Sequence, residues 1–461
     1  MKAEFIQVSS QNSSLKIETH HSLEPAIAFL HAADLIEDFL DSIDVTLETF
    51  CSEMTGGWLF GYVEALKTVG VRSILYCVSA QVSKVSHFTH IPTGSTICIL
   101  PTPKIYRLYR QFRKTRRRTL GLKGEFSSSN ASTSTHRSRA TFLKHSVTTL
   151  ATYLATPSGL LAEELQRERC QAILCQEYEY GRFETCIVIG KKLGIPVFAT
   201  FQGRTAQQCG ITDYWVRPLA IQACQGLIIS SEAEIKRVQA DYAVPSSKIA
   251  RIFSPVDVSS WGVPDRIKIR SELGLSPEAK VVICHGRIEI YKKGLDILLT
   301  AWELICSARP DRDLWLLLVG TGSDAEEFEQ HIAALPLANI IWRNEYIQDR
   351  TVLRQYLAAA DVYALSSRWE GFPVAPIEAM ACGLPIVAAD AQGISDILEQ
   401  GEDAGGFVVP RENPQVLADA IGRILDDPTL AQELSTRAYH HARNHFSLAA
   451  IGQQLKGFMV G

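Results

Sequence analysis

The sequence predicts an α/β protein of two domains, each built on a parallel sheet covered by helices. Three observations predict it. The chain has 461 residues, too many for one ordinary domain. Through its second half, short runs of Val, Ile and Leu alternate with amphipathic helical stretches, as in strands buried on both faces. Between about Ile252 and Trp261 this pattern breaks at IFSPVDVSSWG, where a proline and turn residues mark a linker.

In the second half, Ala279 to Cys284 reads as a buried strand, followed by a helix from about Leu295 to Cys306. Leu314 to Val319 is the next strand, ending in Gly320-Thr321-Gly322, and Asp324 to Ala334 is helical. Asn339 to Trp342 and Val362 to Leu365 are further strands, then a helix from Ile377 to Cys382 and a strand from Pro385 to Ala389. A ligand crevice is expected at the carboxyl ends of these strands.

The first half is less regular. Val45 to Cys51, Ser73 to Cys77, Thr96 to Leu100, Ala172 to Cys175, Val197 to Phe201 and Gly226 to Ser230 are its strand candidates. Helices are expected over Leu59 to Thr68 and Phe183 to Leu193, and a last helix over Leu448 to Met459. The N-terminal forty residues and the Ser/Thr-rich stretch from Gly121 to Arg139 read as the least ordered.

Composition is that of an ordinary globular protein: 46% hydrophobic, 21% charged, net charge −4. The charge gives no general reason to expect nucleic acid. Eleven cysteines stand singly with no C-x-x-C pair, which supports neither zinc nor a disulfide framework and suits a reducing cytoplasm. The N-terminus lacks a signal-like apolar core, and no apolar run reaches the roughly 18–20 residues of a spanning helix. A cytoplasmic protein is expected, either soluble or peripheral on a membrane.

Two motifs carry chemistry. In Glu370-Gly-Phe-Pro-Val-Ala-Pro-Ile-Glu378, two carboxylates flank a loop that opens a helix. Amides from Val374 to Ile377 suit a diphosphate, and a carboxylate there suits sugar or ribose hydroxyls. The plainer reading makes Glu370 a cap and leaves Glu378 solvated. In Gly286-Arg287-Ile-Glu-Ile-Tyr-Lys292-Lys293-Gly294, an Arg after a strand and a Lys before a helix can converge on one anion. Alone they would read as a solvated turn. Both motifs fall at strand ends of one sheet, and that favours the ligand reading.

With GR…KKGLD, LLLVGTG and AADVYALSSRWEGFPVAPIEAMACGLPIVAAD, the stretch Ile252 to Phe446 resembles the family 4 nucleotide-sugar glycosyltransferases, group 1 enzymes of the GT-B fold. The resemblance implies two Rossmann-like domains facing a cleft: residues 1–252 for the acceptor, 253–440 for the donor, and 441–461 crossing back. It implies transfer of a hexose with retention from a nucleotide-diphosphate sugar, a UDP-sugar being expected, with no cofactor and no metal. Arg287 and Lys293 would hold the diphosphate, Glu370 the sugar and Glu378 the ribose. Phe372, Pro373 and Val374 would give backbone contacts, and Ile347 would lie against the base. Pro373 departs from the glycine common there and removes one amide. Thr55-Gly56-Gly57-Trp58 resembles the family's phosphate-approaching loop, although a tight turn explains it equally. Gln202-Gly203 stands where the family commonly has His-Gly, on the acceptor side. A sugar phosphorylase or synthase of the same fold, or a polysaccharide or small-molecule glycosyltransferase, is the alternative.

Lys104 to Lys123 is strongly basic, with Arg107, Arg110, Arg113, Lys114, Arg116, Arg117 and Arg118 in its centre and no acid. Ile105, Leu108, Tyr109 and Phe112 share one helical face. Such a helix suits an anionic membrane surface and a glycolipid or lipid-linked glycan acceptor. Docking of that face on the sheet is the competing reading; nucleic acid is a distant third because the rest of the chain is not basic.

Overall fold

Two sheets organise the chain. The computed structural model describes residues 24–41, 45–54, 57–119, 150–201, 211–258, 265–347, 349–370 and 372–461. The first sheet holds β1 (Ala26–Leu30), β2 (Arg72–Ser79), β3 (Ser86–Thr89), β4 (Thr96–Pro101), β5 (Cys170–Cys175), β6 (Val197–Thr200), β7 (Gly226–Ile228) and β8 (Ile249–Ala250). Their order is β3-β4-β2-β1-β5-β6-β7-β8, parallel except for β3 against β4. The second sheet holds β9 (Lys280–His285), β10 (Leu314–Val319), β11 (Ile340–Arg343), β12 (Val362–Leu365), β13 (Ile386–Ala389) and β14 (Gly406–Val409). It is parallel in the order β11-β10-β9-β12-β13-β14.

Helices cover both faces of each sheet. In the first half they are α1 (Ile36–Leu40), α2 (Leu47–Ser52), α3 (Gly57–Thr68), α4 (Lys104–Thr119), α5 (Ser158–Arg167), α6 (Gly181–Leu193), α7 (Ile211–Trp215), α8 (Arg217–Ala223) and α9 (Glu232–Tyr242). The second half carries α10 (Arg266–Glu272), α11 (Ile290–Lys293), α12 (Leu295–Ser307), α13 (Ala325–Ala333), α14 (Arg350–Ala359), α15 (Ala375–Ala381), α16 (Ile394–Ile397), α17 (Pro414–Asp426), α18 (Pro428–His445) and α19 (Leu448–Met459). No helix of the described residues is long and apolar enough to cross a membrane.

Parallel strands buried on both faces explain why β10, β12 and β13 read so clearly from the sequence. The first half departs from expectation. β1 lies within the N-terminal forty residues that read as unordered, and all five of its residues are buried. Val45 to Cys51, expected as a strand, instead contains most of α2, whose start Thr46 caps by accepting from the Thr49 amide at 3.1 Å. A side-chain cap and the burial of Phe50 and Cys51 outweigh the strand preference of Val45 and Thr46. The short strands β3, β8 and β14 have no sequence signal of their own.

The chain crosses between the two halves twice. The expected boundary at residue 440 falls inside α18, which runs unbroken to His445. The second crossing is at Phe446 and Ser447, beside the first, where the Val256 amide donates to the Phe446 carbonyl at 2.7 Å. Beyond it, α19 buries Ile451, Leu455 and Met459 in the first core with Ile27, Phe60 and Leu66. Gly452 makes that contact possible: a Cβ there would stand 2.2 Å from the Ala65 carbonyl oxygen of α3.

On α4 the expected apolar face is not the buried one. Tyr106 is buried, its hydroxyl donating to Asp34 at 2.6 Å, and Tyr109 is half-buried. Ile105, Leu108 and Phe112 are exposed at 65%, 65% and 68%. Arg110, expected on the free basic surface, forms a two-pronged pair with Asp38 at 2.6 and 2.8 Å. Arg107 is exposed, while the side chains of Arg113, Lys114, Arg116, Arg117 and Arg118 lie outside the described residues.

Candidate active site at the switch point of the second sheet

In the second sheet the strand order reverses between β9 and β12. Loops leaving these neighbouring strands turn to opposite sides and leave a crevice beyond their carboxyl ends. Arg287 and Lys293 follow β9, while Glu370, Phe372, Pro373 and Val374 follow β12 and lead into Glu378 on α15. Ile347 follows β11, half-buried against the second core.

Lys293 and Glu370 meet directly. The ammonium lies 2.7 and 2.9 Å from the two carboxylate oxygens, and Ser367 Oγ donates to one of them at 2.6 Å. The Glu370 side chain is 7% exposed, so its charge is held by these donors and not by solvent. Gly294 lets the two loops approach: its φ is +60°, and a Cβ would lie 2.1 Å from the Ser366 carbonyl. Arg368 ties the loops again. It forks onto Asp296 with two 2.8 Å bonds and donates to the Tyr291 carbonyl at 2.8 Å. Arg287 behaves differently, with a guanidinium 66% exposed and 3.3 Å from Glu289. It is the solvated cation at the rim, and Lys293 the enclosed one.

Glu378 is buried, which removes the plainer reading of it as solvated. Oε2 pairs with His285 Nε2 at 3.0 Å and Oε1 with the Arg350 guanidinium. Burial alone would push this carboxyl up; the His285 hydrogen bond and the Arg350 charge outweigh it and hold the group below its ordinary value. His285 ends β9 and Arg350 opens α14, so a strand end and a helix start converge on one carboxylate of α15. The sequence reading missed both residues. Only the position of His285 at a strand end, just before Gly286-Arg287, was available as a signal. Near α15, Pro373 and Pro376 have no N–H, so amide donors there reduce to Val374, Ala375 and Ile377.

The first sheet reverses its order between β1 and β5. His31, directly after β1, is buried; its Nδ1 accepts from the Ala33 amide at 3.1 Å, which places the ring proton on Nε2. Burial, and then the Arg182 charge, lower its pKa to about 3. Arg182 binds the carbonyls of His31, Ala33 and Asp34 and so fixes this loop. Gly57 opens α3, whereas Thr55, Gly56, Gln202 and Gly203 lie outside the described residues.

Among the described residues, one group could share a metal ion: His87, Cys98 and Glu164, at the β3–β4 edge of the first sheet. Arg167 already sits there, 2.7 Å from Glu164, and a cation would have to displace it. The group reads as an ion-pair cluster.

Residues 265–441 match the family model for glycosyl transferases group 1. A D-inositol 3-phosphate glycosyltransferase of Jonesia denitrificans is 30% identical over 241 residues, 48% of this chain and 54% of that one. The lipopolysaccharide core biosynthesis mannosyltransferase LpsB of Rhizobium meliloti is 29% identical over 185 residues, 39% of this chain and 52% of that one. The chain thus spans about half the length of the curated relatives it matches. Two solved structures share the whole fold at low identity. Sucrose-phosphate synthase of Thermosynechococcus elongatus superposes with a TM-score of 0.60 at 18% identity, over 94% of this chain and 98% of that one. Anabaena HepE in complex with UDP does so with 0.62 at 17%, again over 94% and 98%. Residues 265–441 thus carry the likeness to the glycosyl transferases group 1, within a protein of the GT-B fold.

Proposed function

We propose that this protein is a retaining glycosyltransferase that moves a hexose from a UDP-sugar to a hydroxyl of a membrane-associated acceptor. The observation that carries the proposal is the Lys293–Glu370 pair at the switch point, with Arg287 open beside it.

A diphosphate entering this crevice meets an enclosed ammonium and an exposed guanidinium. As the bond to the sugar breaks, negative charge grows on the leaving phosphate, and both cations stabilise it without a metal. Oε1 accepts from both Lys293 and Ser367, but Oε2 of Glu370 accepts only from Lys293 and keeps a lone pair, so the carboxylate can orient a sugar hydroxyl while it fixes the ammonium. Tied up in this way it is a positioning group, not a nucleophile, and the acceptor hydroxyl attacks from the face the nucleotide leaves, passing its proton to the departing phosphate oxygen as the bond from sugar to phosphate breaks. Backbone at Phe372 and Val374 borders the sugar. Glu378, aimed by His285 and Arg350, takes the ribose, and Ile347 lies against the base.

UDP as the nucleotude part of the donor is supported by the Anabaena protein, which has been solved with UDP and with UDP-glucose. A lipid or lipid-linked acceptor is supported by the lipopolysaccharide relative and by α4, where Ile105, Leu108 and Phe112 face outward beside Arg107. Gln202 and Gly203 would border that acceptor. The protein would then act peripherally on the cytoplasmic face of a membrane.

A donor screen by thermal shift with UDP-, GDP- and ADP-sugars, followed by transfer assays, tests the central reading. Stabilisation and turnover with a UDP-sugar are expected; no response to any of the three overturns it. Release of a sugar phosphate that depends on added phosphate would instead identify a phosphorylase. Flotation with anionic vesicles tests the membrane reading, and absence of binding at moderate salt overturns it.

A further inference from the structure

The two chain crossings meet at one aromatic ring. Phe253, in the first crossing, stacks on Phe372 with centroids 5.2 Å apart and planes 19° apart. It also meets Phe446 of the second crossing edge-on, at 5.1 Å and 62°. The Arg251 guanidinium lies 5.3 Å from the Phe253 centroid and reaches into the second domain, 2.7 Å from Asp396 and 2.9 Å from Glu399. Asp396 in turn accepts from the Glu232 amide of the first domain at 2.9 Å. Phe253 packs against the cores of both domains yet is only half-buried.

We propose that Phe253 is a positioning residue that couples the relative placement of the two domains to the Glu370 loop. Resting on the reading that this loop holds the donor sugar, the proposal adds how the loop is set. Phe372 stands two residues beyond Glu370, so a shift of the Phe253 ring displaces the backbone that presents the carboxylate. Stacked rings hold a preferred offset and tilt, which an aliphatic contact of similar size does not. Both crossings and the Arg251 pair bear on the same ring, so a rotation between the domains that shifts either crossing moves it. Closure around a donor and acceptor would thereby set the sugar-holding loop before transfer, and an open arrangement would leave it misaligned.

A double-mutant cycle on donor turnover tests this, with Phe253→Leu, Phe372→Leu and the pair. We expect each single change to lower kcat about ten-fold, the size of one lost ring–ring contact, with donor KM moved far less. The double variant should be no slower than the slower single one, and Phe253→Tyr, which keeps the ring, should restore kcat. Phe328→Leu, in the second core against Trp342, removes an aromatic contact away from the crossings and should lower Tm while leaving kcat intact. Multiplying effects in the double variant, or a Phe253→Leu enzyme with normal kcat, overturns the proposal. If Phe253→Leu does not fold, Phe253→Met and Phe372→Met run the same cycle. A wild-type protein that turns over no donor overturns the functional reading first and this coupling with it, whereas an active wild type with multiplying variants overturns the coupling alone.

Discussion

The two domains spend their polar and apolar groups in opposite ways. In the second, charge gathers at the carboxyl ends of the strands: Lys293 on Glu370, Arg368 on Asp296, His285 and Arg350 on Glu378, with Arg287 left open. In the first, the buried ionic groups hold up the frame. Arg237 joins Glu179 and Glu234 behind the sheet, and Arg182 clamps the loop after β1. This domain also exposes large apolar side chains: Ile105, Leu108 and Phe112 on α4, then Tyr214, Trp215 and Leu219 around α7 and α8. A crevice with preset charges suits a small, highly charged ligand, because no reorganisation is needed when charge moves. An exposed apolar surface beside a basic run suits a large, weakly polar partner. His31 sharpens the contrast, since its crevice holds an imidazole kept neutral where the other holds a charged ammonium.

The contrast breaks most readily at Lys293. Lys293→Ala should cut turnover by roughly 10²–10³-fold, the usual effect of removing one donor to developing charge. It should also lower Tm by stranding the buried Glu370; adding Glu370→Gln should recover Tm but not turnover. A single variant with near-normal turnover would end the electrostatic reading. Arg287→Ala should cost roughly 10²-fold in turnover with Tm unchanged, because this exposed guanidinium supports little of the fold. Equal losses of Tm in the two variants would erase the distinction between rim and enclosed cation.

His285→Ala should cost about 1–3 kcal/mol by leaving one Glu378 oxygen buried without its donor, and should raise donor KM. Denaturant titration and kinetics read the two effects. Because the Glu378 carboxyl is held below its ordinary value of 4.5, its stabilisation is complete above that pH and is lost as pH falls through the lower folded value. In the first domain the sign concerns a base. His31 has a folded pKa of about 3 against 6.5, so the unfolded chain binds the extra proton between these values. Its stabilisation is whole above pH 6.5 and falls by about 1.4 kcal/mol per pH unit below it. Unfolding free energies of His31→Gln should lack that slope between pH 6.5 and 5. The smallest effect on fold and chemistry belongs to α4: serine at Ile105, Leu108 and Phe112 should abolish vesicle flotation while Tm and transfer to a soluble acceptor stay unchanged.

Legibility followed the local pattern along the chain. β10 and β12 were readable to the residue because strands covered on both faces must be apolar throughout, and α19 because its helical period is intact. Arg287, Lys293, Glu370 and Glu378 stood out because their motifs follow strands of one sheet and resemble a family pattern, and of them the structure brings Lys293 and Glu370 into contact. β1 escaped notice because five apolar residues among unpatterned neighbours carry no period. Val45 to Cys51 misled because β-branched residues at a helix start look like a strand. His285 and Arg350 were hidden for another reason: they come from the ends of β9 and the start of α14, and nothing local announces that both meet Glu378.

By itself, then, the sequence determined the alternation of strand and helix, the two-domain plan, and the residue types at the strand ends of the second sheet. These follow from periodicity and spacing, which are properties of neighbours along the chain. Tertiary structure alone decided which charges are already paired, which face of α4 meets water, and that Phe253 touches both crossings and Phe372. Those are contacts between segments far apart in sequence, set by how the two sheets and their crossings pack together, and no local pattern encodes them.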